Sequence, residues 1–388
     1  MNKHFNPLKD GISHGRRLEF FHHESVTEWG GRDQVDAFAV IHPLKRKRSH
    51  GLYVVLHSAG HDLYSCLGCT FAPDNHDIYH TPDDMFGLYL DCRENADEDF
   101  WWGGINAKGE GKPERKAEVQ PVEKRVLATI EWVKGHYPVD EERVYLCGNS
   151  MGGSGALGIG MCLGDVFAAV KVNVPAGVEH AIDRMTMAGE DMPDPPICID
   201  YSAQNDVWSA GHDKFYRYMR EHRYMLFGYW GNFGHANANS TILAKNDLVH
   251  SFDWLSVRRN QAYPVFTNAE CDDLNPWEHS ETAEKSGQVN AFFRWKNVSD
   301  RKDAFAMKIF IDADIKTVFP IPEQAGTDVT IRRLQHFKLA PNQHVAWTFG
   351  TQNGTAMADE HGVLTLPKLI ITRTENVLRL HIQKTPLG

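Results

Sequence analysis

Arg143-Val144-Tyr145-Leu146-Cys147-Gly148-Asn149-Ser150-Met151-Gly152-Gly153-Ser154-Gly155-Ala156-Leu157 runs from a short apolar stretch through a glycine-flanked turn into a helix start made of small residues. That order has a mechanical meaning. A nucleophilic serine at the top of a parallel sheet sits in a strained turn between strand and helix, and glycines two before and two after it relieve the crowding. Gly148, Ser150 and Gly152 meet that G-x-S-x-G spacing. A helix beginning at Met151 directs its free N–H groups and the positive end of its dipole toward the serine, where an oxyanion would form.

The segments on either side of this turn supply the sheet it needs. Val122 to Gly135 has helical spacing at Val122, Val126, Ile130 and Val133, as a crossover helix leading into a parallel strand should. Upstream, Leu18 to Glu28, Gln34 to His42 and Gly51 to His57 read as strands, the first two as antiparallel neighbours, and Met85 to Asp91 as another. The unbroken apolar run Leu52 to Leu56 suits a strand covered on both faces. Downstream, Phe167 to Val174, Pro195 to Tyr201 and Tyr224 to Tyr229 continue the strands, with a helix over His212 to Arg223. Such alternation implies an α/β architecture, a mostly parallel sheet flanked by helices.

After residue 256 the texture changes. Val289 to Trp295, Ala304 to Ile311, Val329 to Leu334, His344 to Phe349, Lys368 to Arg373 and Val377 to Gln383 read as strands with few helices between them, which fits a C-terminal all-β sandwich domain. The expected division is an α/β domain over 1–256 with an irregular N-terminal arm over 1–16, a connecting segment over 257–286, and the sandwich over 287–388. Tyr263 to Phe266 would pack against one domain or the other.

Composition narrows the function classes. Across 388 residues, 42% are hydrophobic and 24% charged, ordinary globular usage, and the formal charge of −10 argues against nucleic acid as a partner. The basic run Lys45-Arg46-Lys47-Arg48 lies between two apolar stretches and reads as a solvated hairpin loop. No apolar run of about 18 residues is present, so no membrane span is expected. The start Met1-Asn2-Lys3-His4-Phe5 has no apolar signal region, which gives a cytoplasmic expectation, or a secreted or periplasmic one if a leader has been removed. Seven cysteines do not form a disulfide framework, and Cys66-Leu67-Gly68-Cys69 is a lone C-x-x-C, for which buried thiols are a better reading than a metal. The acidic tracts Asp97 to Asp99 and Glu270 to Asp273 read as solvated loops, with calcium the lesser alternative. No cofactor or metal is expected. Oligomeric state is not readable.

Serine is a weak nucleophile at neutral pH and needs a base, itself oriented by a third group. In an open parallel sheet those groups come from loops at the carboxyl ends of later strands. Asp206 follows the strand ending at Tyr201, and His235 follows the strand ending at Tyr229. Asp200 and Asp247 are weaker candidates for the acid, as are His212, His222 and His250 for the base.

The order Ser150, Asp206, His235, the glycine elbow and the strand–helix alternation resemble the α/β-hydrolase family over roughly residues 35 to 255. The resemblance implies that His235 takes the proton of Ser150, that Asp206 holds the imidazole tautomer, and that an acyl-enzyme forms and is hydrolysed. It also places the oxyanion hole at the N–H of Met151 and a second N–H after Leu52 to Leu56, from Ala59 or its neighbour Ser58. His57-Ser58-Ala59-Gly60 departs from the commoner His-Gly-Gly pattern by carrying serine where glycine is usual.

Within the family the chain looks most like carbohydrate esterases of feruloyl and acetyl type, which implies an acylated saccharide of plant or dietary origin as substrate. Oligopeptidase-type peptidases share the triad, and a non-catalytic carbohydrate-binding or scaffold protein could share the fold. Phe100-Trp101-Trp102-Gly103-Gly104 opens a polar loop running to about Pro113. Its Trp101 and Trp102 offer an aromatic wall for a sugar or aryl group, or else core packing. Trp208 is a similar candidate, and His61 either touches substrate or caps a turn.

Overall fold

The computed structural model describes residues 5–23, 29, 36–45, 47–72, 76–92, 101, 119–189, 192–203, 206–231, 235, 251–273 and 286–383. Its largest element is a ten-stranded sheet. The strands are β1 (Phe5–Ser13), β2 (Arg16–His23), β3 (Asp36–Ile41), β4 (His50–Leu56), β5 (Phe86–Leu90), β6 (Val139–Asn149), β7 (Ala169–Asn173), β8 (Ile197–Ala203), β9 (Leu226–Gly231) and, out of turn, β11 (Gly287–Val289). Their spatial order is β1-β2-β3-β5-β4-β6-β7-β8-β9-β11. From β5 through β4 to β9 every pairing is parallel, while β1, β2, β3 and β11 pair antiparallel. The mostly parallel sheet expected from the alternation is present.

Period-two burial gives each strand two apolar faces. In β4, Leu52, Val54 and Leu56 enter one core and Tyr53 and Val55 the other. The first core is roofed by helices α2 (Pro121–His136), α3 (Met151–Gly160), α4 (Glu179–Ala188) and α5 (His212–Glu221). Helix α2 begins with Pro121 at its first turn behind a Gln120/Glu123 capping box, and Val122, Val126, Ile130 and Val133 form its buried stripe. Each of those side chains contributes about 1.5–3 kcal/mol by leaving water.

The opposite face is covered differently. Helix α1 (Leu63–Cys69) packs near β2 to β4, and the β7–β9 side is covered by the C-terminal region. Phe227 of β9 stacks with Phe252 at 4.3 Å and Trp295 at 6.3 Å, while Tyr229 meets Phe319 edge-on at 6.1 Å. The C-terminal region carries two antiparallel sheets. One joins β10 (Tyr263–Thr267), β14 (Gln324–Arg332) and β17 (Thr365–Thr372). The other runs β12 (Phe293–Arg301), β13 (Ala304–Ile311), β18 (Asn376–Ile382), β15 (His344–Phe349), β16 (Gln352–Met357).

Several regions differ from the sequence expectation. Residues 5–13, expected as part of an irregular arm, form an edge strand with a bulge after Pro7. An edge strand solvated on most of its length needs no apolar alternation, so its sequence hides it. Within the expected connection, Tyr263–Thr267 pairs with β14, and β11 extends the large sheet beside β9. The chain therefore returns to the α/β sheet after leaving it. Lys45 to Arg48 is exposed where described, but it is no hairpin loop, since β3 and β4 are separated by β5.

The acidic tract Glu270 to Asp273 is a loop, exposed at Glu270 and Asp273 and half-buried at Cys271 and Asp272, and its carboxylates serve the backbone. Glu270, Asp272 and Asp273 accept the backbone N–H groups of Gly326, Asn290 and Gln288. Burial pushes the Asp272 carboxyl up to about 7.

A buried arginine ties the C-terminal region to the base of the sheet. Arg333 donates to the carbonyls of Ala168 (3.0 Å), Phe167 (2.7 Å) and Gly164 (3.3 Å) and lies over the Tyr263 ring. Nearby, Arg332 pairs with Asp194 at 3.1 Å, and Tyr263 donates to the Pro195 carbonyl at 2.5 Å. These bonds are buried or half-buried, so breaking them leaves desolvated groups unsatisfied. A chain ending at residue 256 would lose Trp295, Phe319 and Arg333 together. It is expected to aggregate or to melt without a cooperative transition when followed by circular dichroism. A shortened chain melting sharply within a few degrees of the full one would contradict this dependence.

Candidate active site

Ser150 links β6 to α3 with φ 53° and ψ −118°, a left-handed conformation that a non-glycine residue rarely adopts. Its surroundings fix the turn. The Ser150 N–H donates to the Asn173 carbonyl at 2.9 Å, and the Ser154 N–H begins the helical ladder on the Ser150 carbonyl at 2.9 Å. A Cβ at Gly148 would lie 2.3 Å from the Gly152 carbonyl, and one at Gly152 would lie 2.0 Å from the Leu56 carbonyl oxygen. Both glycines are needed because the backbone itself fills the space a side chain would take.

The structure brings Ser150, Asp206 and His235 together. Ser150 Oγ is 2.7 Å from His235 Nε2, and His235 Nδ1 is 2.5 Å from Asp206 Oδ2. The second Asp206 oxygen accepts the Trp208 N–H at 2.9 Å. A carboxylate facing Nδ1 favours the tautomer that leaves Nε2 as an acceptor for the serine proton. Both distances lie in the range required of a working nucleophile–base–orienter set.

Two of the weaker candidates, Asp200 and His212, form with Ser202 a second, buried Ser–His–Asp cluster. Asp200 accepts the Ser202 hydroxyl and the Tyr216 hydroxyl, each at 2.7 Å, and Ser202 Oγ lies 2.9 Å from His212 Nε2. Burial pushes the Asp200 carboxyl up, against the pull of His212 and the two hydroxyls. His212 Nδ1 donates to the Ser209 carbonyl at 2.7 Å, and the Ser209 hydroxyl donates to the Asp206 carbonyl at 2.7 Å. This cluster therefore anchors the loop carrying Asp206 instead of meeting solvent. His222, the other described rival, is tied to the Tyr218 carbonyl at the end of α5. Asp247 and His250 lie outside the described residues.

The parallel pairing of β4 with β6 ends at Leu56 and Gly148, so the loop after β4 leaves the sheet beside the turn that carries Ser150. Met151 is the first residue of α3, so its N–H has no intrahelical acceptor. Ser58 is buried and its N–H meets the Tyr79 hydroxyl at 3.2 Å, whereas Ala59 is exposed.

Of the expected substrate contacts, Trp101 does not face a cleft. Fully buried, it donates from Nε1 to the His57 carbonyl at 2.9 Å, and its Cβ sits where a side chain on Gly155 would collide. Its work is to hold the loop after β4 against α3. Trp102 lies outside the described residues. Trp208 is 58% exposed and Val207 85% exposed, giving an apolar surface beside Asp206. His61 Nδ1 lies 3.1 Å from Ser65 Oγ at the start of α1, which is a turn-capping contact.

No group of three or more His, Cys, Asp or Glu side chains among the described residues is placed to hold a metal. No helix among them is long and apolar enough to cross a membrane. All seven cysteines are free, and burial pushes the Cys147 thiol up to about 12.

No protein-family model matches the chain, and no curated protein matches it. Among solved structures it is similar to the substrate-bound fluorophosphonate-binding serine hydrolase F of Staphylococcus aureus, at 14% identity, with 61% of this chain and 97% of that one covered and a TM-score of 0.44. An S-formylglutathione hydrolase from Agrobacterium tumefaciens gives 13% identity, 61% and 95% coverage and a TM-score of 0.45. A ferulic acid esterase of Anaeromyces mucronatus, in complex with ferulic acid, gives 16%, 60% and 92%, and 0.38. The chain thus resembles serine hydrolases and esterases. What its own site does rests on its own atoms.

The two Ser–His–Asp clusters are expected to respond differently to substitution. Asp206→Asn should lower kcat by orders of magnitude with little change in Tm, because only the imidazole tautomer is lost. Asp200→Ala should lower stability by about 2–4 kcal/mol by removing the buried acceptor of the Tyr216 and Ser202 hydroxyls, leaving the Ser202–His212 pair without its carboxylate. Parallel melting curves and initial rates check the pair; a stable, inactive Asp200→Ala beside an active Asp206→Asn would reverse the assignment.

Proposed function

We propose that the protein is a serine hydrolase that cleaves carboxylic esters, with Ser150 as nucleophile, His235 as base and Asp206 as the group orienting it. The observation that carries this reading is the Ser150–His235–Asp206 relay, 2.7 Å and 2.5 Å in its two links, on a turn whose φ of 53° holds the half-buried serine in a strained position. Ser150 Oγ attacks the ester carbonyl as its proton passes to His235 Nε2. The C–O bond then breaks, and that proton goes to the departing alcohol. Water, activated by the same imidazole, attacks the acyl-enzyme; Ser150 is released with its proton restored and the acid leaves.

In this reading the oxyanion of each tetrahedral intermediate is held by the N–H of Met151 and an N–H from the loop after β4. Such donors act where charge develops, and loss of one costs about 10²–10³ in rate. Acylated saccharides are the favoured substrates: the exposed Trp208 indole beside Asp206 is a flat apolar surface suited to a sugar or aryl group. Residues 1–256 carry the chemistry, and the two antiparallel sheets of the C-terminal region, which take in β10 as well as the strands from β12 on, are read as one β-sandwich that covers the β7–β9 face. Their shared core with that face supports this division of labour.

A fluorophosphonate probe should label the folded protein at Ser150, and Ser150→Ala should lose both labelling and hydrolysis of p-nitrophenyl acetate while keeping its Tm. On acetylated and feruloylated oligosaccharides turnover is expected, and on aminoacyl anilides none. Turnover of the anilides alone would move the protein to the peptidases. An unlabelled folded chain would make it a non-catalytic binding protein.

A further inference from the structure

One tyrosine outside the triad is held in place more firmly than its position in a short turn would require. Tyr79 ends the one-turn 3-10 segment Asp77–Tyr79 and is fully buried. Its own carbonyl accepts the hydroxyls of Thr70 at 2.7 Å and Tyr89 at 2.5 Å, and the neighbouring Ile78 carbonyl accepts the Tyr53 hydroxyl at 2.7 Å. Cys147, three residues before the nucleophile, adds its thiol to the Ile78 carbonyl at 3.4 Å. The His76 ring stacks on the Tyr79 ring at 5.5 Å and 18°. Side chains from β4, β5, β6 and α1's end thus converge on this one turn.

What Tyr79 presents from that mount is its hydroxyl, and the amide and hydroxyl of Ser58 both engage it. The Ser58 N–H meets it at 3.2 Å and Ser58 Oγ at 2.7 Å. Burial pushes the Tyr79 pKa well up, so the hydroxyl stays neutral and available as both donor and acceptor. Beyond Ser58 the chain turns through Ala59 and Gly60, whose φ is +75°, and closes with the His61 N–H on the Ser58 carbonyl at 3.1 Å. A positive φ at the third position is the mark of a type II turn. The Ala59 N–H is left without a hydrogen bond among the described residues.

We infer that Tyr79 is a positioning residue for the oxyanion hole: by engaging both the amide and the hydroxyl of Ser58, it leaves the Ala59 N–H as the second donor, beside that of Met151. The inference rests on the serine-hydrolase reading. It also accounts for a serine at a place where glycine is commoner. Ser58 contributes a second hydrogen bond to the brace, which glycine could not make. Preorganised donors work because they need no reorientation as charge develops, and small displacements of such groups cost large factors in rate.

The test uses the full chain with p-nitrophenyl acetate and a fluorophosphonate probe. Tyr79→Phe keeps the ring stack on His76 and removes only the hydroxyl. Its kcat and its labelling rate are both expected to fall about 10- to 100-fold, with KM within twofold and the pH profile of kcat/KM unmoved. Ser58→Ala, which keeps the amide bond to Tyr79 but loses the hydroxyl bond, should lose several-fold in kcat. It carries the test alone if Tyr79→Phe fails to fold. Unchanged or raised kcat in Tyr79→Phe would mean that the freed Ser58 amide is itself a donor, and the inference fails. An unchanged kcat in Ser58→Ala, should that be the only folded variant, fails it equally. These outcomes are separable from failure of the function itself, because wild type that is never labelled overturns both, whereas labelled wild type beside an unaffected variant overturns the positioning role only.

Discussion

The first turn of α3 lies directly against the carbonyls of Leu56 and His57, so close that a Cβ at Gly152 would stand 2.0 Å from one oxygen and 2.7 Å from the other. This backbone-to-backbone contact locks the end of β4 to the start of the helix that follows Ser150. It makes two neighbouring parallel strands finish at one level, so that the loop after β4 and the elbow after β6 face a common volume. Glycine is required on the helix side because no side chain fits between. On the loop side the fit is kept by Trp101, buried under the same junction with its indole N–H on the His57 carbonyl. The Tyr79 brace acts one residue further along.

A similar economy governs the sheet as a whole. Parallel strands must be covered on both faces, and helices α2 to α5 supply one side. On the β7–β9 side of the other face, that cover comes from the region after residue 250, through Phe252, Trp295 and Phe319. Asp206 and His235 follow β8 and β9, two of the strands whose other face packs into that cover. Arg333 fastens it at the opposite ends of the strands, on three carbonyls preceding or entering β7. Stability at one end of the sheet and geometry at the other are therefore joined by the same packed layer.

How much of this could be read beforehand follows from how local each signal is. The glycine turn at Ser150 is legible because its glycines answer a steric demand within five residues, and the nearness of Asp206 and His235 to it because strand ends in a parallel sheet point to one rim. Trp101 was ambiguous, since a tryptophan in a glycine-bearing loop reads alike whether it lines a cleft or fills a core; only its fit over Gly155 decides. Tyr79 carried no signal, because its partner Ser58 lies 21 residues away and no spacing rule connects them. Nor did β1, whose Pro7, Lys9 and Asp10 read as irregular chain until an edge pairing with β2 is known. The buried Asp200–Ser202–His212 cluster shows the converse, residue types of a catalytic set serving as an anchor.

The central claim is that Ser150 attacks a carbonyl whose oxygen is received between Met151 and Ala59. A crystal structure of the covalent adduct with a small phosphonate ester tests it most directly. The account requires phosphorus bonded to Ser150 Oγ and the phosphoryl oxygen within hydrogen-bond reach, about 2.7–3.1 Å, of both the Met151 and Ala59 nitrogens, with Ser58 still on Tyr79. A phosphoryl oxygen bound by the Ser58 amide, or phosphorus on a different residue, would contradict it.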